Sequence, residues 1–293
     1  MPIEPLAEPP FRVLRKTAFR SLVRRAAIVC VAGSFSIGAL ADLADEGPTD
    51  IRGEAVKREY VFQAGDRTKR LPYELFVPTG YQASKPAPLI VLLHGLWSDP
   101  WQVIHYAGIV QEAEKRGYIV VAPTGYNSFG GYGNRGPDRN ASWAFRAGAE
   151  APSNLSELSE QDVLNVLALV RHEYSIDPKR TYLMGHSMGG GGALYLGMKY
   201  KGQWAALAAM APAIFSDPKA LASIRDTPII VVQGDKDGLV KVENTRRWVD
   251  EMKQLKMDYK YIEIKGGDHV FSICINPAMI AEVFDFFDQH PKR

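Results

Sequence analysis

From residue 88 onward, short apolar runs alternate with segments of helical periodicity, and this alternation constrains the fold more than any other feature of the chain. Residues 88–93 (PLIVLL) and 118–122 (YIVVA) are continuously apolar, the pattern of strands buried on both faces. Further strand-like runs at 181–184, 205–210, 229–233 and 259–264 are spaced by helical segments at 101–116, 160–174, 188–200, 242–255 and 278–289. Strands that alternate with helices pair in parallel, because each crossover helix returns the chain to the same end of the sheet. Two earlier extended runs, 54–63 and 71–78, flank a polar Ala-Gly-Asp-Arg-Thr-Lys turn and predict an antiparallel hairpin. The expectation is one α/β domain over 54–293, with about eight strands in a mostly parallel sheet and helices on both faces. The irregular stretch 123–158 is long for a compact domain, and its Tyr126, Phe129, Tyr132, Trp143 and Phe145 make it a candidate lining for an apolar pocket or a packed loop.

Charge divides the chain in two. The total of 35 basic and 33 acidic residues gives +2. Residues 1–41 hold six cations (Arg12, Arg15, Lys16, Arg20, Arg24, Arg25) against Glu4 and Glu8, which leaves 29 basic and 31 acidic residues in the rest. An uncharged run, 26–41, follows Arg25 directly and ends in Ala39-Leu40-Ala41. Basic, apolar and small-residue segments in that order predict a secretory signal with the mature chain starting at Asp42, then a polar linker over 42–53. The location is then secreted or periplasmic. Sixteen apolar residues are short for a membrane span of about 20, so an uncleaved anchor at 26–41 is the alternative. The slightly acidic remainder gives no electrostatic reason to bind nucleic acid. Cys30 would leave with the signal, and Cys274 alone could form no intrachain disulfide. In its apolar surroundings Cys274 reads as a small buried hydrophobe.

Chemistry enters at Gly185-His186-Ser187-Met188-Gly189, set between a strand and a helix. A serine on so sharp a turn projects its hydroxyl above the sheet, and only small residues fit two positions either side. The hydroxyl needs a base. Only His269 and His290 follow it, and His269 lies in a turn just past the last strand, at the edge where α/β sites form. A carboxylate must then orient the imidazole. Asp237, in the Gly234-Asp235-Lys236-Asp237-Gly238 loop after a strand, is preferred to Asp235 because it lies further toward His269; Asp268, adjacent to His269, reads as a turn residue. Oxyanion donors are expected from the N–H of Met188 and, after Gly95, from Leu96, with Trp97 as second choice. Trp97, Tyr126 and Trp143 are the candidate substrate contacts. No cofactor is expected: 131–136 spells G-x-G-x-x-G, but Pro137 follows and no helix opens there. No Cys or His cluster has zinc spacing.

His94-Gly95 after a buried strand, Gly185-x-Ser187-x-Gly189, Gly234-x-x-Asp237 and a late Gly-Asp-His269 together resemble the α/β-hydrolase superfamily over roughly residues 70 to 290. Within it, 159–197 is similar to secreted polyhydroxybutyrate-depolymerase-like, feruloyl and acetylxylan esterases, and to prolyl-oligopeptidase-type catalytic domains. The resemblance implies the α/β-hydrolase fold and a triad of the matched Ser187, Asp237 and His269. The expected activity is hydrolysis of a small-molecule or polymeric carboxylic ester through an acyl-enzyme. Peptide hydrolysis is the alternative by the same acyl transfer, and a non-catalytic binding protein on the same fold is the third reading.

Overall fold

The computed structural model describes residues 51–64, 67–134 and 152–292. The signal or anchor at 1–41, most of the linker and the candidate contact Trp143 lie outside the described residues. The sheet consists of β1 (Ala55–Ala64), β2 (Arg67–Phe76), β3 (Ala87–Leu93), β4 (Ile119–Pro123), β5 (Ile176–His186), β6 (Leu207–Met210), β7 (Ile229–Gly234) and β8 (Tyr259–Ile264). Their spatial order is β1-β2-β4-β3-β5-β6-β7-β8. β2 pairs antiparallel with both β1 and β4, and every other pairing is parallel.

The continuous apolar runs are sorted by the two-residue period of a strand. Leu89, Val91 and Leu93 of β3, with Ile119 and Val121 of β4, join one core cluster, while Ile90, Leu92, Val120 and Ala122 join the other. Helices cover both. α3 (Leu155–Glu173), α4 (Met188–Lys199) and α5 (Val242–Gln254) bring Val166, Leu194 and Trp248 to the first cluster. On the opposite face, α1 (Pro100–Ile104), α2 (Ile109–Arg116) and α7 (Pro277–Gln289) bring Ile104, Ile109 and Phe284 to the second, and the single turn α6 (Phe271–Cys274) adds Ile273.

Four expectations are corrected. The helix expected over 101–116 is two helices. Asp99 caps α1 by accepting the Gln102 N–H at 2.8 Å, and Pro100 starts it. The chain then breaks so that the Ala107 N–H can bond the Cys274 carbonyl at 2.8 Å, with Gly108 at φ 100° against Pro277. Second, the hairpin closes more tightly than the six-residue turn expected, because pairing runs on to Ala64 and Arg67. Third, β5 begins at Ile176 rather than Thr181; its ladder with β3 shifts register between Ala87 and Leu89, alongside Pro178, which has no N–H to give. α3 also starts at Leu155, five residues before the expected position.

Candidate active site

Ser187 stands between β5 and α4 at φ 56°, ψ −115°. A non-glycine residue there is strained at a cost of order 1–3 kcal/mol, so the surroundings must hold it. They do so through three main-chain bonds: the Ser187 N–H donates to the Met210 carbonyl (2.8 Å), and its own carbonyl accepts from Gly191 (3.0 Å) and Ala213 (2.9 Å). The turn is tight enough that a Cβ on Gly185 would overlap the Gly189 carbonyl, and one on Gly189 the Leu93 carbonyl.

His269 follows β8, and its Nε2 lies 2.8 Å from Ser187 Oγ. Its Nδ1 lies 2.6 Å from Asp237 Oδ2. Both Asp237 and His269 are buried. The Asp237 Oδ1 accepts the N–H groups of Leu239 and Val240, each at 2.8 Å, and Oδ2 accepts Gln233 Nε2 at 2.8 Å. Burial pushes this carboxyl up, but the bonds from His269, Val240 and Leu239 outweigh it and hold the group below the ordinary carboxylate range. The loops carrying acid and base are joined along their main chains: Lys236 N–H donates to Gly267 O (2.9 Å) and Asp235 N–H to Ile264 O (3.1 Å).

The rejected residues have other partners. Asp235 accepts the Gly266 N–H, Asp268 accepts the N–H groups of Val270 and Ser272, and His290 sits at the end of α7 against Asp258. Sequence reasoning missed Gln233, a buried amide on β7 that also receives the Thr245 hydroxyl at 2.7 Å. A polar residue closing an otherwise apolar strand was its only signal.

Met188 opens α4, where an N–H has no partner within the helix. Across from it, a Cβ on Gly95 would stand 3.4 Å from the Ser187 Cβ, so the loop carrying Leu96 passes beside the nucleophile. The Trp97 N–H is committed to the Ser128 carbonyl at 3.1 Å, which removes it as a donor. His94 fixes this loop from beneath: its Nδ1 lies 2.7 Å from Gly95 O and its Nε2 2.8 Å from Thr124 O. Asp162 of α3, fully buried and unforeseen, accepts the N–H groups of Gly125 (2.6 Å) and Tyr126 (3.2 Å) and the Tyr60 hydroxyl (2.5 Å). Burial pushes its pKa up to about 6 despite these bonds. Tyr126 is thereby held at φ 66°, its ring edge-on to Phe62 at 5.4 Å with the Lys69 ammonium over it. Trp97 is half exposed and packs its ring on Phe129 at 4.4 Å.

Around this site lie Trp97, Trp101, Phe215, Leu239, Phe271 and Ile275, large apolar side chains left more than half exposed. All occupy segments that follow the C-terminal ends of β3, β6, β7 or β8. Among the described residues no group of His, Cys, Asp and Glu is arranged to hold a metal ion.

A family model described as "Putative esterase" matches residues 68–276. The S-formylglutathione hydrolase of Rattus norvegicus is 30% identical over 151 residues, 49% of this chain and 52% of that protein. The chain therefore spans about half the length of the curated relatives it matches. A thermostable esterase of known structure aligns with TM-score 0.59 and 24% identity over 83% of this chain and 64% of its own. An S-formylglutathione hydrolase from Agrobacterium tumefaciens aligns with TM-score 0.62 and 16% identity over 85% and 99%. These structural likenesses establish the α/β-hydrolase fold. Because the family match extends from β2 to beyond α6 and takes in Ser187, Asp237 and His269, the chain belongs to this esterase family.

Proposed function

We infer that the protein hydrolyses carboxylic esters through an acyl-enzyme formed on Ser187. The observation that carries the reading is the unbroken line from Ser187 Oγ to His269 Nε2 (2.8 Å) and from His269 Nδ1 to the buried Asp237 carboxylate (2.6 Å). Asp237, already saturated with donors, keeps the His269 proton on Nδ1, so Nε2 presents a lone pair to the serine hydroxyl. As Ser187 attacks the ester carbonyl, His269 takes its proton, and the resulting imidazolium is stabilised by the adjacent carboxylate. The oxyanion falls to the N–H groups of Met188 and Leu96, the first of them at the positive end of α4. His269 then returns the proton to the departing alcohol, and water repeats the sequence to release the acid.

The apolar side chains exposed in the segments after the C-terminal ends of β3, β6, β7 and β8 favour an ester with an apolar acyl or alcohol part, with Trp97 and Tyr126 as contacts. Membership of the esterase family and similarity to S-formylglutathione hydrolases favour ester over peptide cleavage. The similarity of 159–197 to polyhydroxybutyrate-depolymerase-like esterases, together with the basic-then-apolar start of the chain, supports an exported enzyme.

Ser187→Ala should abolish turnover of p-nitrophenyl butyrate while the thermal midpoint stays within a few degrees of the parent. A serine-reactive fluorophosphonate should label the parent at Ser187. Full activity in the variant, labelling elsewhere, or faster cleavage of amides than of esters would each overturn the proposal.

A further inference from the structure

The histidine that precedes the nucleophile has no part in the steps above, yet it lies against the base. The rings of His186 and His269 are 5.1 Å apart between centroids. His186 Nε2 is 2.8 Å from the main-chain carbonyl of His269, and its Nδ1 is 2.9 Å from the Tyr106 hydroxyl. A carbonyl can only accept, so Nε2 carries the proton, and in a neutral ring Nδ1 must then accept from Tyr106. Burial, with the neighbouring His269 adding to it, pushes the His186 pKa down to about 4, so the ring is neutral at physiological pH. The Tyr106 hydroxyl also lies beside the Cys274 side chain.

The donors in this line point one way, from Tyr106 through His186 to the His269 carbonyl. The line also joins three separate pieces of chain. Tyr106 belongs to the break between α1 and α2, which is tied to α6 through the bond from Ala107 N–H to Cys274 O (2.8 Å). His186 closes β5, and His269 follows β8. The imidazole of the base is held at its two nitrogens by Ser187 and Asp237. Neither bond fixes the peptide group from which the ring hangs.

We propose that His186 and Tyr106 are positioning residues for the general base, fixing the His269 main chain so that its Nε2 stays on the line to Ser187. The proposal rests on the esterase reading. It assigns a task to the variable residue of the G-x-S-x-G turn, with Tyr106 holding the other ring nitrogen of the tautomer that performs it.

Removing the donor with His186→Leu should lower kcat for p-nitrophenyl butyrate by about tenfold or more, the scale of one buried hydrogen bond, and leave KM within about twofold. The rate of fluorophosphonate labelling should fall in parallel. His186→Gln, whose amide can donate to the same carbonyl, should recover most of the loss. Tyr106→Phe deletes one oxygen atom and should cost kcat about three- to tenfold with no loss of folded protein, so it decides the matter should the leucine variant fail to fold. Nitrogen-15 spectra of histidine-labelled protein should show His186 protonated at Nε2. Unchanged kcat in Tyr106→Phe, a change confined to KM, equal losses in the leucine and glutamine variants, or the Nδ1–H tautomer would overturn the positioning role. A parent protein inert to both ester and fluorophosphonate would instead sink the esterase reading, with the tautomer still judged by its own spectrum.

Discussion

Two buried titratable residues near the site oppose each other. His186 has a folded pKa of about 4 against an ordinary 6.5, so its contribution to stability is complete above 6.5 and is lost as pH falls toward 4. Asp162 has a folded pKa of about 6 against an ordinary 3.8, so its contribution is complete below 3.8 and is lost as pH rises through 6. Between pH 4 and 6 the unfolded chain binds the extra proton at His186 and the folded chain binds it at Asp162, and the two slopes cancel. Asp162→Asn removes one of them. Its unfolding free energy, measured by denaturant titration, should rise across that window by about 1.4 kcal/mol per pH unit relative to the parent; equal slopes would refute the assignment. Ser187, Asp237 and His269 were legible in the sequence because each sits in a turn after a strand and their order along the chain is constrained. Asp162 was not, since its role depends on Tyr60, 102 residues away. Gln233 and His186 are local to the motif, yet their partners at Thr245 and at the His269 main chain appear only in the folded chain.

Elements were legible where burial on both faces leaves an unbroken apolar run. β3 and β7 differ from the expected spans only at one end, while the edge strand β8 coincides with 259–264 on half-buried, partly polar residues. Errors gathered where tertiary contacts override local periodicity. The apolar and polar residues of 101–116 keep a helical rhythm through the break, but the chain leaves the helix at His105 to dock on α6 and α7. Gly108, at φ 100° with a neighbouring Pro277, was the available clue. Gly108→Ala should therefore destabilise the protein by about 1–3 kcal/mol, combining left-handed strain with a steric contact. On the same face Phe284→Ala should cost about 3–5 kcal/mol, because the ring is fully buried edge-on to Tyr118 at 5.3 Å. Chemical denaturation of the two variants checks both values.

For the whole molecule, the sheet separates two apolar clusters, and its long edges fall to β1 and β8. Both edges carry charge. Arg70 of β2 reaches Glu59 of β1 at 3.2 Å, and on β8 Lys260 pairs with Glu282 at 2.7 Å and Glu263 with Arg246 at 2.6 Å. Ion pairs as exposed as these add little stability, but charged edges discourage strand pairing between molecules. That protection suits a chain proposed to cross a membrane before folding. If residues 1–41 are the address, mass spectrometry of protein recovered outside the cytoplasm should give an N-terminus at Asp42. Recovery of the intact chain in the membrane fraction would favour the anchor.

The main-chain seam between the loops of Asp237 and His269 has a dynamic consequence. Because Lys236 is hydrogen-bonded to Gly267 and Asp235 to Ile264, neither loop can open without breaking main-chain hydrogen bonds that the other shares. Thermal fluctuation must then displace acid and base together, leaving their separation constant. In native-state hydrogen exchange the amides of Asp235 and Lys236 would open as one cooperative unit with those of the His269 turn, at a single free energy, rather than as two independent loops.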